Sequence, residues 1–396
     1  MSTLSTWRAA AVDPGEFFSA EELATARRYQ RPVAFLRVFR SVLALAVLGA
    51  FVAGQAGPEL VDALGVNGWV LRLLVVMVAL EACTLVYDPV LDAWVDLVHD
   101  RRWGLSTQSG PGLVVDAAKS LVLGLVLNTV LLVPLYALIR ATDLWWLFGW
   151  LLVAGSSLRS GFLYPIVIAP LFNTFTPLVP GELADRIARV AEQAGVDISG
   201  AYVADASRRS RRDNAYVAGF GSTRRVVLFD TLLEHPPEIV EQVVAHEIGH
   251  WRRRHLRLQV PLSAVLALVV FGALKLLSEW DGLLSFAGVG SFGDPASLPL
   301  LLIGAAVGFG VTGLVGSWVS RAFERQADLD ALELLRRPDL MAAMQRRLHT
   351  KNLADLDPGP LKRLRASHPP AAERMAFTRR WQEANGVVAS VPSAPG

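Results

Sequence analysis

Residues 246–250 read His246-Glu247-Ile248-Gly249-His250. Residues four apart share one face of a helix, so both imidazoles can reach one metal ion. Glu247 stands beside the first histidine, where a carboxylate can act as general base on a metal-activated water. The flanks predict the helix. Pro236 and Pro237 suit its start, and Glu238 and Glu241 put negative charge near it. Ile239, Val240, Val243, Val244 and Ile248 recur as one apolar face. Arg252, Arg253 and Arg254 follow at the C-terminal end, where cations are favoured. A surface helix with two unrelated histidines would show the same five letters, so the rest of the chain has to decide.

The chain has 396 residues, 53% of them hydrophobic and 19% charged, where a soluble protein carries about 25% charged residues. Mean hydropathy is +0.39. This composition predicts an integral membrane protein with a sizeable soluble part. A net charge of +2 gives no field for holding nucleic acid, which we exclude as a partner. The single cysteine, Cys83, excludes a disulfide within the chain and a cysteine-rich metal site. Lysine is confined to Lys119, Lys275, Lys351 and Lys362, and the arginine-rich remainder reads as bacterial composition. Residues 1–34 are polar and show no cleavable signal peptide, so the first apolar segment is expected to stay as an anchor.

Six segments are long and apolar enough to cross a bilayer: 35–56, 68–88, 119–140, 144–169, 257–278 and 298–320. A shorter seventh or re-entrant segment near 162–178 is the alternative count. Loop charges alternate. Arg27, Arg28 and Arg31 precede the first span, Arg101 and Arg102 follow the second, and 170–256 and the tail from Arg321 are arginine-rich. Loops 57–67 and 279–297 hold no Lys or Arg. The positive-inside rule then puts both termini and the His246–His250 region in the cytoplasm. Arg72, Glu81, Asn128 and Arg159 lie inside spans; Arg72 and Glu81 are expected to face a polar interior, with snorkelling to the interface the equal alternative for Arg72.

Between spans, 182–195 reads as an amphipathic helix with Leu183, Ile187, Val190 and Ala194 at helical spacing. Strand-like runs follow at 201–204, 214–220 and 225–229, with Gly219, Gly221 and Ser222 marking a turn. An edge strand there could hold an extended substrate by backbone hydrogen bonds. The Arg208–Arg212 cluster reads as a solvated loop. A second helix is expected after the sixth span, from Ser320, with Glu324 and Asp328 four apart on one face. Two histidines and Glu324 would make the three protein ligands of a catalytic zinc site, and Asp328 could orient a ligand imidazole. The tail reads as helices interrupted at Asp357-Pro358-Gly359-Pro360, with His368 held extended before two prolines.

Several of these pieces together resemble the type I CAAX prenyl proteases, membrane-embedded zinc metallopeptidases of the gluzincin kind. The matching stretches run in order: Tyr164 to Leu178, Asn214 to Phe220, His246 to Trp251 with His255 beyond, Phe323 to Asp328, and Ser367-His368-Pro369-Pro370 with Arg374. The resemblance implies zinc on His246, His250 and Glu324, with Glu247 as general base and Asp328 behind a ligand. It implies that Asn214, Ala215 and Tyr216 align the substrate backbone, and that His368 and Arg374 hold substrate or a developing oxyanion. It also implies helices enclosing an intramembrane chamber.

The fold class expected is a mainly α membrane protein: a six-helix bundle, seven in the alternative count, with a cytoplasmic zincin-like α+β metallopeptidase domain. The expected segments are a cytoplasmic 1–34, spans one to four in 35–169, a catalytic region 170–256, spans five and six in 257–320, a second catalytic region 321–386 and a disordered tail 387–396. The function expected is a zinc endopeptidase of a bacterial inner or plasma membrane, acting on a peptide or protein that is membrane-associated or prenylated. A membrane-protein quality-control protease shares the chemistry and differs in substrate. A catalytically silent scaffold would need a broken site, and here every ligand and the base are present.

Overall fold

A computed structural model describes residues 12–219, 224–388 and 391. Six of its helices are long and apolar enough to cross a membrane. Helix α1 (Ala20–Ala53) starts well before the apolar stretch because Ser19 caps it. Ser19 Oγ accepts from Glu22 N at 3.2 Å and Glu22 Oε2 accepts from Ser19 N at 2.7 Å, a reciprocal capping box. Helix α2 (Trp69–Ala93) runs on through a π-helical turn, Trp94–His99, to Arg102. Helix α3 is Gly110–Ala141. Helix α4 (Trp145–Leu163) likewise continues through a π turn, Tyr164–Ile168, to Phe172. The segment considered for a seventh crossing is therefore the end of α4 followed by a short strand, and the described residues hold six candidate spans.

The tightly packed part of the bundle lies at one end. Leu73 and Val76 near the start of α2, Tyr136 near the end of α3 and Trp145 at the start of α4 are buried together with Phe271 and Leu298. Tyr136 Oη and Ser297 Oγ bond at 3.0 Å within it. Elsewhere Val122, Val265, Leu276 and Val311 are exposed, as apolar surface meant for lipid would be. Of the two readings of Arg72, the structure favours the interfacial one: it pairs at 2.8 Å with Asp62, just before its span.

The soluble part carries a four-stranded sheet: β1 (Phe175–Pro177), β2 (Gly200–Ala204), β3 (Ala215–Ala218) and β4 (Arg225–Phe229), in the order β1-β2-β4-β3. Strand β1 escaped the sequence reading, because three residues around Pro177 carry no alternation. Among the described residues, strand β3 pairs antiparallel with β4 alone, Ala215 opposite Leu228 and Ala218 opposite Arg225. It is thus an edge. Phe220, Gly221 and Ser222, expected at its end, lie outside the described residues. So do most of the tail residues expected to lack structure.

Helices α5 (Glu182–Ala194) and α6 (Pro237–Arg252) share one core with the sheet, through Ile187, Val190, Val226, Leu228, Val240 and Val244. Burying such a side chain contributes roughly 1.5–3 kcal/mol, which holds the apolar face of α6 inward. Helix α7 (His255–Ser278) follows. Helix α8 spans Leu298–Leu335 without a break. No new helix starts at Ser320; the sixth span itself carries Glu324 and Asp328 to α6. Helices α9 (Pro338–Lys351), α10 (Pro360–Arg365) and α11 (Ala371–Asn385) complete the chain.

In the Arg208–Arg212 cluster, expected as a solvated loop, Arg208 and Arg211 are exposed, but Arg209 and Arg212 are held by other helices. Arg209 forks onto Asp116 of α3 at 2.6 and 3.1 Å. Arg212 pairs at 2.8 Å with buried Asp100, which also accepts from Tyr29 Oη at 2.8 Å. Arg208 donates to the Phe172 carbonyl at 2.7 Å. The ends of three spans present acceptors here, and the cluster ties the sheet to them.

Candidate metal centre

Helix α6 presents His246 and His250 one turn apart, and α8 brings Glu324 between them. His246 Nε2 lies 3.3 Å from His250 Nε2. Glu324 Oε2 is 3.4 Å from His246 Nε2, and Glu324 Oε1 is 3.4 Å from His250 Nε2. Ligands bound at about 2.0–2.1 Å in a tetrahedron are about 3.3 Å apart; the two carboxylate contacts end on different oxygens, and with one atom from each residue the three lie within 4.8 Å of one another, close enough to converge on one ion. The electrostatics agree. Glu324 Oε2 is buried with no hydrogen-bond partner. Burial opposes charge on His246, yet the contact with Asp328 and the carboxylate of Glu324 beside it prevail and raise it to about 10. Burial, and then the neighbouring His246, lower His250 to about 3. The cluster thus draws one positive charge into a buried pocket, and these residues fit a metal cation.

The close approach of α6 to α8 depends on Gly249. A Cβ there would sit 3.1 Å from both Cα and O of Ala327 and 3.3 Å from Cβ of Asp330.

Each ligand imidazole is held from behind. His246 Nδ1 meets Asp328 Oδ1 at 2.9 Å. Arg374 grips the same carboxylate, Nε to Oδ2 at 2.7 Å and Nη2 to Oδ1 at 2.5 Å. It is 7% exposed, with its guanidinium committed to Asp328 behind His246. His250 Nδ1 meets His255 Nδ1 at 3.1 Å, and His255 Nε2 meets Gln326 Oε1 at 3.0 Å. The His255 ring stacks on Phe323, centroids 4.3 Å apart. The sequence reading gave His255 and Gln326 no role. The signal was a third histidine five residues past His250, legible only once the turn at Arg254 (φ 57°) is known to fold α7 back.

His368 stands on the open side, 60% exposed, with Nε2 3.3 Å from Glu324 Oε1. Glu247 faces a cavity that His250 also lines, and burial pushes its carboxyl up to about 7. Tyr216 and Val217 of β3 line the same cavity. Asn214 bends its side chain onto the backbone N–H of Ala215 at 2.9 Å. Its neighbour Asp213, also missed, pins the start of the strand. Asp213 is bonded by His235 at 2.6 Å and Lys351 at 2.7 Å, and its N–H donates to Asn352 Oδ1 at 2.8 Å. The structure therefore gathers His246, Glu247, His250, Glu324, Asp328, His368 and Arg374 in one place, with β3 along its rim.

A metal-ready cluster set between an open strand edge and membrane-crossing helices defines a membrane metalloprotease. Family comparisons agree. The model of peptidase family M48 matches residues 177–382, and that of the CAAX prenyl protease N-terminal region, described as five membrane helices, matches 11–174. Four of the six candidate spans fall within the second match. A CAAX prenyl protease 1 homolog of Arabidopsis thaliana is 30% identical over 318 residues, covering 77% of this chain and 73% of the relative. An uncharacterized metalloprotease of Bacillus subtilis is 28% identical over 381 residues, covering 94% of this chain and 89% of the relative. The crystal structure of S. mikatae Ste24p superposes with a TM-score of 0.81 at 25% identity, covering 90% of this chain and 89% of that one. The chain belongs to peptidase family M48.

Proposed function

We propose that this protein is a zinc endopeptidase of a bacterial inner or plasma membrane, cutting an extended peptide laid along β3 at its cytoplasmic end. The observation that carries the reading is the triangle of His246, His250 and Glu324 with Glu247 beside it and an unpaired strand edge next to both. Bound zinc supplies Lewis acidity, polarising a carbonyl and bringing the pKa of its water to about 7. Glu247 takes a proton from the attacking water and later hands it to the leaving amine. His368 offers a ring N–H to the developing oxyanion from the exposed side. Asp328, clamped by Arg374, keeps His246 oriented. Asn214, Ala215 and Tyr216 offer backbone groups to the substrate chain. The alternating loop arginines support a cytoplasmic placement of both termini and the site.

The names of the relatives make a prenylated C-terminal peptide the first substrate to assay, with an unfolded membrane protein as comparator. Glu247→Gln should retain one zinc per chain and lose about 10³-fold in cleavage, measured by metal analysis alongside peptide turnover. Normal turnover by that variant would overturn the mechanism.

A further inference from the structure

The cavity beside Glu247 has a volume of about 650 Å³, and its wall is chemically lopsided. Glu247 is the sole carboxylate in the lining, against four arginines: Arg224, Arg252, Arg254 and Arg257. Arg252 has a partner in Asp330 at 3.6 Å. Among the described residues, Arg224, Arg254 and Arg257 have no ion pair. Arg224 is the most constrained. Its guanidinium lies 4.9 Å from the centroid of the Trp251 ring, and its Nε is buried without a hydrogen-bond partner. A cation fixed on an indole with an unanswered buried N–H is a donor set waiting for an acceptor. Tyr216, Val217 and Val260 add apolar surface to a wall that also holds His250, His255 and Gln259.

We infer that this cavity is a substrate subsite that accepts a carboxylate of the bound peptide, paired with Arg224 and flanked by apolar side chains. The inference rests on the proteolytic reading above and adds a substrate class to it. The guanidinium fork matches a carboxylate with two parallel hydrogen bonds. Ala218 at the end of β3 pairs with Arg225, so Arg224 stands just past the strand's C-terminal end. A peptide on β3 therefore brings to Arg224 a residue near the cleaved bond. That residue lies before the bond if the peptide runs antiparallel to β3, and after it if parallel. An acidic side chain and a free α-carboxylate share this chemistry.

A peptide series separates the sources. One arm moves a single Glu, with Gln as its control, through each position around the cleavage site of an end-blocked peptide. The other compares the free C-terminal acid with its amide. Binding is read by fluorescence anisotropy on the zinc-loaded Glu247→Gln protein, and turnover on the wild type. The expected result is one position, or the free acid, favoured about tenfold in Kd and in KM, as one charge-assisted pair allows. That ratio should fall to near one when Arg224→Gln is added, and Arg224→Glu should favour Lys over Glu. Zinc content checks that the variants are folded, and Arg257→Gln gives a milder second perturbation. Equal binding of all Glu and Gln peptides and of acid and amide would sink the subsite, as would a preference that survives Arg224→Gln. Discrimination in binding without turnover by the wild type would uphold the subsite and strike the proteolytic reading instead.

Discussion

His250 has two ring nitrogens with separate tasks. If Nε2 keeps its lone pair for a metal, Nδ1 must carry the hydrogen. It then donates to His255 Nδ1, 3.1 Å away, and His255 in turn donates from Nε2 to Gln326 Oε1 at 3.0 Å. The chain of donors and acceptors closes in only one way, which fixes the tautomer of the ligand. His255→Leu should therefore weaken zinc binding by about 10–100-fold, measured by competition with a chromogenic chelator. His255→Asn, whose Oδ1 takes the place of Nδ1, should recover most of that loss. An unchanged affinity in the Leu variant would remove His255 from the site. On the other ligand, Arg374 plays the matching part through Asp328. The family resemblance placed Arg374 at the centre, holding substrate or a developing oxyanion, and its bonds to Asp328 support a positioning task behind His246.

At the scale of elements, the site is the crossing of α6 and α8. Both histidines proposed as ligands ride on α6 and Glu324 on α8, so the metal-ready triangle is only as good as the interhelical distance. Gly249 sets that distance, because a side chain there would meet backbone atoms of Ala327, which cannot rotate away. Gly249→Val should separate the helices, destabilise the soluble part by about 1–3 kcal/mol and leave the purified protein short of metal. Gly124→Ala in α3, where nothing lies within 4 Å of an added Cβ, is the matched control. Full metal content in Gly249→Val would show that the crossing tolerates more room than its contacts suggest. The unbroken helix from Leu298 to Leu335 has a related consequence. Movement of the sixth span in the membrane is transmitted to Glu324 through rigid helix rather than through a loop.

At the scale of the molecule, the metal centre and the packed end of the bundle lie at opposite ends of the spans. The loops 57–67 and 279–297, free of Lys and Arg, sit at the packed end, and the arginines gather at the other. The cytoplasmic assignment makes a direct forecast. In a Cys83→Ser background, Ser285→Cys should react with an impermeant maleimide on intact cells, and Arg347→Cys only after permeabilisation. The reverse pattern would invert the topology. The parts legible in the sequence were those carried by local spacing. Hydropathy over about 20 residues marked the six spans, and the four-residue interval of His246 and His250 marked the metal helix. Glu324 was also legible, because one carboxylate was missing from a known ligand chemistry. The three residues of β1 were not, nor was the bond from His255 to Gln326, which joins positions far apart in the chain. Arg209 and Arg212 misled for the same reason, since their partners Asp116 and Asp100 belong to other helices. By itself, then, the sequence determined the membrane class and pointed to the two histidines and the glutamate proposed as ligands and base, all from short-range spacing. Only the tertiary structure decided that β3 is an edge, that Arg374 lies behind His246, and that unpaired arginines line the cavity at Glu247. Those facts depend on which elements pack together, and no local pattern records it.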